Sequence, residues 1–486
     1  MSEKIANNLW NSKFLNLLYR SFQGSYLLVL LCSVFALLMS ALIENAFAPI
    51  SFAIFLVGLG AFICKIVFGK EQKKALRIFL YVIFLNFLFV IIIYYGLIAN
   101  YGIPYMGESD SFHHDQYAET VLSMSNIGAQ GAFLYQFSVG HSDSSFFYTG
   151  FITVLYKTFQ VLGFEHHTLL PRFFNSFMLA FLALLGWRFA LLVGCNQRVA
   201  CVAGMLTGSW PLVVFHAAMI RRDVIFAYFL LIIVYFIVSF LVDSKRITLG
   251  GIAGCLFAVM IVSSLRFGFL AIIFMLGFGI YFLNIFSRLK KKITLFHIMI
   301  VFVSIFFVAC VILVIIKSGY FGKNLGGLTA QFGNYVDSRS TESESGIGAA
   351  IFKLPILISM PLRLVYANIF PPPIPSMILI KNIRWVGTLF WVLCLPILIR
   401  QISSFTSNRG ENSFVLRSVT FVFVILFCVV NLITFTEPHQ MMYLPLGLVL
   451  ICYGLQDQKY SIKKYLPFLL FFGCMFIGLY VALKML

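Results

Sequence analysis

Four carboxylates and two imidazoles crowd into the stretch Gly107–Glu119 of a chain in which only 11% of residues are charged. They are Glu108, Asp110, Asp115 and Glu119, with His113 and His114 between them. Carboxylates beside a membrane are costly to keep, so such a cluster marks a candidate functional site. Glu108 and Asp110 have the chemistry of a catalytic base, or of a pair that holds a divalent cation. His113 and His114 would point about 100° apart on a helix, which argues against one zinc site built from that pair. A second constellation is Arg221-Arg222-Asp223. Guanidiniums offer planar, forked donors that stay charged, which suits a phosphate or pyrophosphate. Arg172, Arg266 and Arg363 are further basic residues of the same face, and Glu437-Pro-His439-Gln440 is a short connection whose Glu437 or His439 could reach the same cavity.

These residues must be positioned by membrane helices. The chain has 486 residues, 61% of them hydrophobic, with a mean hydropathy of +0.97, and that excludes a soluble globular protein. Apolar runs of crossing length recur, among them Tyr26–Leu42, Ile50–Phe68, Phe79–Ile98, Phe173–Val193, Val224–Val242, Ile293–Ile316, Trp385–Ile399, Val419–Phe435 and Leu466–Leu483. The fold class expected is all-α, a polytopic transmembrane helical protein of roughly 12 to 13 spans. The net charge of +18 would suit nucleic acid if it were clustered on a folded domain. Instead the basic residues fall in short connections such as Lys70–Arg77, Arg188–Arg198 and Arg400–Arg417, which the positive-inside rule makes cytoplasmic together with the N-terminus. Acids gather on the other face. The ten cysteines sit in or beside apolar runs without a CxxC pair and read as small hydrophobes. The first apolar run lacks a small-residue cleavage site and reads as a retained anchor.

Four regions follow. Residues 1–99 form an N-terminal three-span region. Residues 100–316 form a core that begins with the acidic outer loop 100–167, within which Phe146–Leu162 is read as a helix lying on the outer surface. Residues 317–384 form an outer loop or lid. It contains Asp337–Glu344, read as a mobile surface loop, and the Pro-interrupted stretch Ala349–Ile380. Residues 385–486 hold the C-terminal spans.

Several of these segments together resemble the GT-C superfamily of integral-membrane glycosyltransferases, most closely the mannosyltransferase-like and aminoarabinose-transferase-like branch. The resemblance rests on Asp110-Ser-Phe-His-His-Asp115-Gln-Tyr117-Ala118, then the apolar helix Phe147–Gly163, then Pro171-Arg172-Phe-Phe-Asn-Ser176, then Pro211 leading to Arg221–Asp223. Ser263-Ser-Leu-Arg266-Phe-Gly268 is similar to the family's small-Lys-Gly signal, with Arg in place of Lys. It covers Gly107–Gly268; three spans precede the acidic loop where the family has one, and the C-terminal half matches in general architecture alone.

The resemblance implies transfer of a sugar from a polyprenyl-phosphate-linked donor to a cell-surface glycan or lipid-linked acceptor, with membrane lipids as surroundings and no nucleic acid partner. It further implies a part in lipopolysaccharide or O-antigen biosynthesis at the bacterial cytoplasmic (inner) membrane. Asp110, helped or replaced by Glu108, would be catalytic. Arg221, Arg222, Arg172 and Arg266 would bind the donor phosphate, with Asp115, Asp223, Glu437 and His439 as further candidates. No cofactor is assigned with certainty; a divalent cation would fit the carboxylates. A repeat-unit polymerase of O-antigen or polysaccharide, and a lipid-linked oligosaccharide flippase or transporter, are the alternatives. The topology is testable directly: a cysteine at Ser109 is expected to react with an impermeant maleimide in intact cells, and reaction only after the inner leaflet is breached would reverse it.

Overall fold

The computed structural model describes residues 2–44, 47–106, 110–123, 146–242, 248–266, 269–288, 351, 354–369, 379–406, 413–433, 437–456, 467 and 474. Of the described residues, 92% are helical and none is in a strand. A bilayer offers the backbone no hydrogen-bond partners, so each span must satisfy its own as a helix. The protein is an all-α, multi-pass membrane protein.

The helices are α1 (Ser2–Glu44), α2 (Phe47–Phe68), α3 (Gln72–Tyr101), α4 (Asp110–Ser123), α5 (Phe146–Val161), α6 (Leu169–Val193), α7 (Gln197–Ser209) and α8 (Pro211–Ala217). There follow α9 (Asp223–Val242), α10 (Leu249–Leu265), α11 (Phe269–Arg288), α12 (Ile356–Ile369), α13 (Leu379–Ser403), α14 (Ser413–Ile433) and α15 (Leu444–Gln456). Among the described residues six stretches are long and apolar enough to cross a membrane, or seven if α7 and α8, bent by 47° at Trp210, form one span. One of the six, Phe47–Tyr101, covers 55 residues. It is a hairpin: the 3₁₀ turn Gly69–Glu71, with Gly69 at φ +46°, folds α3 back so that Phe79 lies against Gly60. The expected runs Ile293–Ile316 and Leu466–Leu483, with Asp337–Glu344 and most of the lid segment, lie outside the described residues.

Helix α6 is the hub. Protein surrounds 83% of its apolar window, against 28% for that of α1, which faces outward. Close approach of α6 and α7 depends on small residues. A Cβ on Gly204 would fall 2.8 Å from the Ala183 carbonyl oxygen, one on Gly186 2.7 Å from Thr207 Oγ1, and one on Gly208 2.9 Å from the Ala183 Cβ. Gly204-Met-Leu-Thr-Gly208 is thus a GxxxG seam, the device by which membrane helices pack where burial from water gives no drive. Polar bonds add to it: Asn86 Nδ2 donates to the Gly208 carbonyl at 3.0 Å.

The two ends of the bundle differ. At one, Arg188 pairs with Glu71 at 2.6 Å, near Lys70, Lys73 and Lys74. At the other, some 45 Å away along the 30 residues of α3, lie Glu44, α4, α5 and the start of α6. Helix α5 lies across that second end. Its Tyr148 meets Asn175 and its Phe151 packs against Phe174 with the rings tilted by 40°, both near the start of α6, while its Phe159 meets Phe52 near the start of α2. Residues about 16 Å apart along α5 therefore touch one level of the bundle, whereas a helix parallel to the axis would touch two. Its 16 residues are also shorter than a crossing requires.

Gly204→Val tests the seam. Overpacking against a backbone carbonyl costs roughly 1–3 kcal/mol, so the detergent-solubilised protein should lose thermal midpoint and monodispersity. Gly58→Ala, where no atom lies within 4 Å of the added carbon, should be silent. An unchanged midpoint in Gly204→Val would contradict the packing described.

Candidate functional site

The break between α8 and α9 leaves backbone carbonyls inside the protein with no helical partner, and such groups must be satisfied. Two side chains of α6 do this. Arg172, 0% exposed, donates from Nη1 to the Ala218 carbonyl at 2.8 Å and from Nη2 to the Pro104 carbonyl. Its guanidinium lies over the rings of Tyr94 and Tyr105, 5.5 and 5.8 Å from their centroids. Asn175, equally buried, donates to the carbonyls of Met219 at 2.8 Å and Arg221 at 3.0 Å, and contacts Tyr148 Oη at 3.2 Å. The start of α6 thus fixes both the loop before α4 and the turn carrying Arg221 and Arg222.

Helix α4 presents a buried stripe of Ser111, His114, Asp115, Ala118 and Val121, the i, i+3, i+4 pattern of a packed face. It is polar because its partners are polar. Asp115, 4% exposed, accepts hydrogen bonds from Tyr105 of the loop and, at 2.5 Å, from Tyr156 of α5. Burial pushes its carboxyl above the usual carboxylate range; the two phenol donors pull the other way without reversing it. Asp110 is exposed in the first turn, where the helix dipole favours a carboxylate. Glu119 is exposed and lies 3.1 Å from His166. Glu108 lies outside the described residues.

The arginines form the facing wall. Asp223 is buried and pairs with Arg266, Nη2 to Oδ1 at 2.6 Å. The same Arg266 nitrogen meets His439 Nε2 at 2.5 Å, and His439 Nε2 is 3.6 Å from Asp223. Burial, and then Arg266, drives the His439 pKa well below the ordinary imidazole value, so Nε2 accepts from the guanidinium. Arg222 Nη1 donates to the Leu265 carbonyl at 3.2 Å. The Nε atoms of Arg172, Arg221 and Arg266 alike are buried with no hydrogen-bond partner among the described residues. Asp223 therefore takes its close ion pair from a residue at the end of α10, not from its sequence neighbours. Glu437 opens the 3₁₀ segment that carries His439; its side chain lies outside the described residues. Arg363 of α12 donates to the Leu432 carbonyl at 2.8 Å and to Ser359 Oγ at 2.8 Å.

The acidic helix and the arginine turn both act electrostatically on His114. Its imidazole, 8% exposed, lies 3.4 Å from Thr149 Oγ1 through Nδ1 and packs edge-on to Tyr148. Burial, then Arg222, lowers its pKa to about 3; Arg221 acts the same way, while Asp110 and Asp223 oppose. Asp110, Arg221, Arg222 and Asp223 thus share one electrostatic neighbourhood although the acidic and basic motifs are far apart in sequence. Asn175, Tyr105 and Tyr156 were not singled out in the sequence. A polar pair in the first turns of an apolar helix signals Asn175, but nothing separates two tyrosines from the other twenty. Among the described residues no group of three or more His, Cys, Asp or Glu is arranged to hold a metal ion. A cavity of about 440 Å³ opens far from this site, at the basic end, between Leu15, Asn196, Arg198 and Gln456.

No family model, no curated protein and no solved structure matches the chain.

Asp115→Ala would leave two buried phenols without an acceptor, at roughly 1–3 kcal/mol each, and should lower the thermal midpoint. Asp115→Asn, which mimics the protonated acid, should be milder. A carboxyl whose folded pKa is raised stabilises the fold below its unfolded value near 3.8, and that contribution is lost as pH rises through the folded value. The wild-type advantage over Asp115→Asn should therefore shrink from pH 4 upward, and a gap that widens would contradict the assignment.

Proposed function

We propose that the protein is a membrane glycosyltransferase of the GT-C type, moving a sugar from a polyprenyl-phosphate donor to a glycan or lipid-linked acceptor on the outer face of a bacterial cytoplasmic membrane, with its N-terminus in the cytoplasm. The observation that carries this reading is the convergence of an acidic helix with a turn of arginines at one end of a helical bundle, about a single buried histidine. Transfer to a hydroxyl needs a group that accepts a proton and, a few ångströms away, positive charge for the departing phosphate. A lipid-linked donor can reach such a site sideways from the bilayer, where nucleotide sugars are absent.

In this reading Asp110, with Glu108, serves the acceptor side by accepting its proton or by holding it through a divalent cation. Arg221 and Arg222 receive the donor phosphate, because their turn is fixed from behind by Asn175 through the Met219 and Arg221 carbonyls. Arg172 and Arg266, offered by the sequence as phosphate ligands, serve here as positioning residues, since their terminal nitrogens bond backbone carbonyls, Asp223 and His439. Asp115 holds α4 to α5, and Asp223 holds Arg266.

The test uses the native host. Asp110→Asn should leave protein level unchanged while the surface glycan loses a sugar residue by mass spectrometry. Arg221→Ala should lower turnover by roughly 10²–10³, and Arg221→Lys by less, because charge is kept and the fork is lost. A normal glycan in Asp110→Asn and in Arg221→Ala alike would reject the reading and favour a flippase.

A further inference from the structure

His114 is a buried imidazole that the reading above leaves without a task. It lies one helical turn after Asp110, at i and i+4 on the same helix, a spacing that sets side chains side by side. Its Nδ1 faces Thr149 of α5 at 3.4 Å, so the opposite ring nitrogen, Nε2, is directed away from α5. Tyr148, packed against the same ring, contacts Asn175, the residue that holds the Arg221 carbonyl. His114 is thereby tied through two side chains to the turn assigned to the phosphate. The charged and titratable groups around it are Asp110 of α4, Tyr148 of α5, Arg221 and Arg222 of the turn, and Asp223 of α9.

In a displacement at the anomeric carbon, the attacking hydroxyl and the leaving phosphate are both attached to one atom. The proton acceptor must therefore stand close to the phosphate clamp. His439 stands by the arginines too, but its Nε2 is occupied by Arg266. Asp110 is exposed in the first turn of α4. We propose that His114, in place of Asp110, takes the acceptor hydroxyl's proton, and that Asp110 stabilises the imidazolium that results; this rests on the transferase reading and reassigns only its proton acceptor. The acceptor O–H bond breaks as Nε2–H forms. The acceptor oxygen bonds the anomeric carbon, and the carbon–oxygen bond to the phosphate breaks with its electron pair left on the phosphate, facing Arg221 and Arg222. The proton then returns to the released phosphate or to water.

The arginines supply a coupling. With the site empty, burial and Arg222 keep the imidazole neutral and a weak base. A bound phosphate offsets the guanidinium charge and raises its basicity, so His114 becomes competent when the donor is in place.

The experiment uses the full-length protein in nanodiscs with a polyprenyl-phosphate sugar and acceptor lipid from the host, following kcat, donor KM and the pH dependence of kcat. Wild-type kcat should fall on the acid side, as the imidazole of the loaded site protonates. His114→Gln, which keeps the volume and loses the base, should lose about 10²- to 10⁴-fold in kcat, with donor KM changed by less than about threefold. Its residual rate should show no acid limb. Thr149→Val, which removes only the hydroxyl beside Nδ1, should shift the acid limb with a smaller loss, and it keeps the test decisive if His114→Gln is poorly folded. An active wild type whose acid limb is unmoved in Thr149→Val, or His114→Gln with near-normal kcat, would overturn the role of His114 and leave the transferase reading intact. A wild type that transfers from no lipid-linked donor would overturn both.

Discussion

The arrangement depends on how the first turns of α6 satisfy backbone carbonyls that the fold leaves inside the protein. The chain breaks between α8 and α9 and again between α3 and α4, and each break exposes carbonyl oxygens where water is scarce. Arg172 bonds one carbonyl from each break, and Asn175 bonds two from the turn that carries the arginines. Both residues are fully buried on the helix that the rest of the bundle surrounds. The geometry of the polar end is therefore referenced to the most enclosed of the crossing helices. Removing either side chain would leave buried carbonyls unpaired and release the loop and the turn together.

From that anchor the polar end assembles in layers. Tyr105, next to the Pro104 carbonyl held by Arg172, joins Tyr156 in bonding Asp115, and so α4 is fixed to both the loop and α5. Asp223 gathers Arg266 and His439, which brings the end of α10 and the 3₁₀ segment from the C-terminal part of the chain to the start of α9. Buried charges are tolerated where they are paired and hydrogen-bonded. Arg221, Arg222 and Asp110 lie within electrostatic reach of the buried His114.

Much of this was legible in the sequence at the level of segments. Long apolar runs gave α1, α2, α3, α6, α9, α13 and α14, because crossing length and hydrophobicity are properties of a window. The short apolar run Phe146–Leu162, interrupted by Lys157, reads as a helix lying on the outer surface; α5 lies across one end of the bundle. Residue-level roles were less legible. Asp223 stands beside two arginines in the sequence, but its close ion pair is with Arg266, because the turn at Ala218–Arg222 is set by Asn175 rather than by local charge. Arg172 looked like a ligand for phosphate since a lone Arg opening an apolar helix gives no hint that two distant carbonyls await it. Long-range hydrogen bonds of this kind have no periodicity to read.

The central claim is that the arginine turn and the acidic helix share one ligand, a polyprenyl phosphate. Cryo-electron microscopy of the full-length protein in nanodiscs loaded with that lipid tests it most directly. The account predicts phosphate density against Arg221 and Arg222, within reach of His114, with the polyprenyl chain leaving into the bilayer at the same end. Phosphate density confined to the opposite end, beside Arg198, with nothing between α4 and the arginine turn, would contradict it.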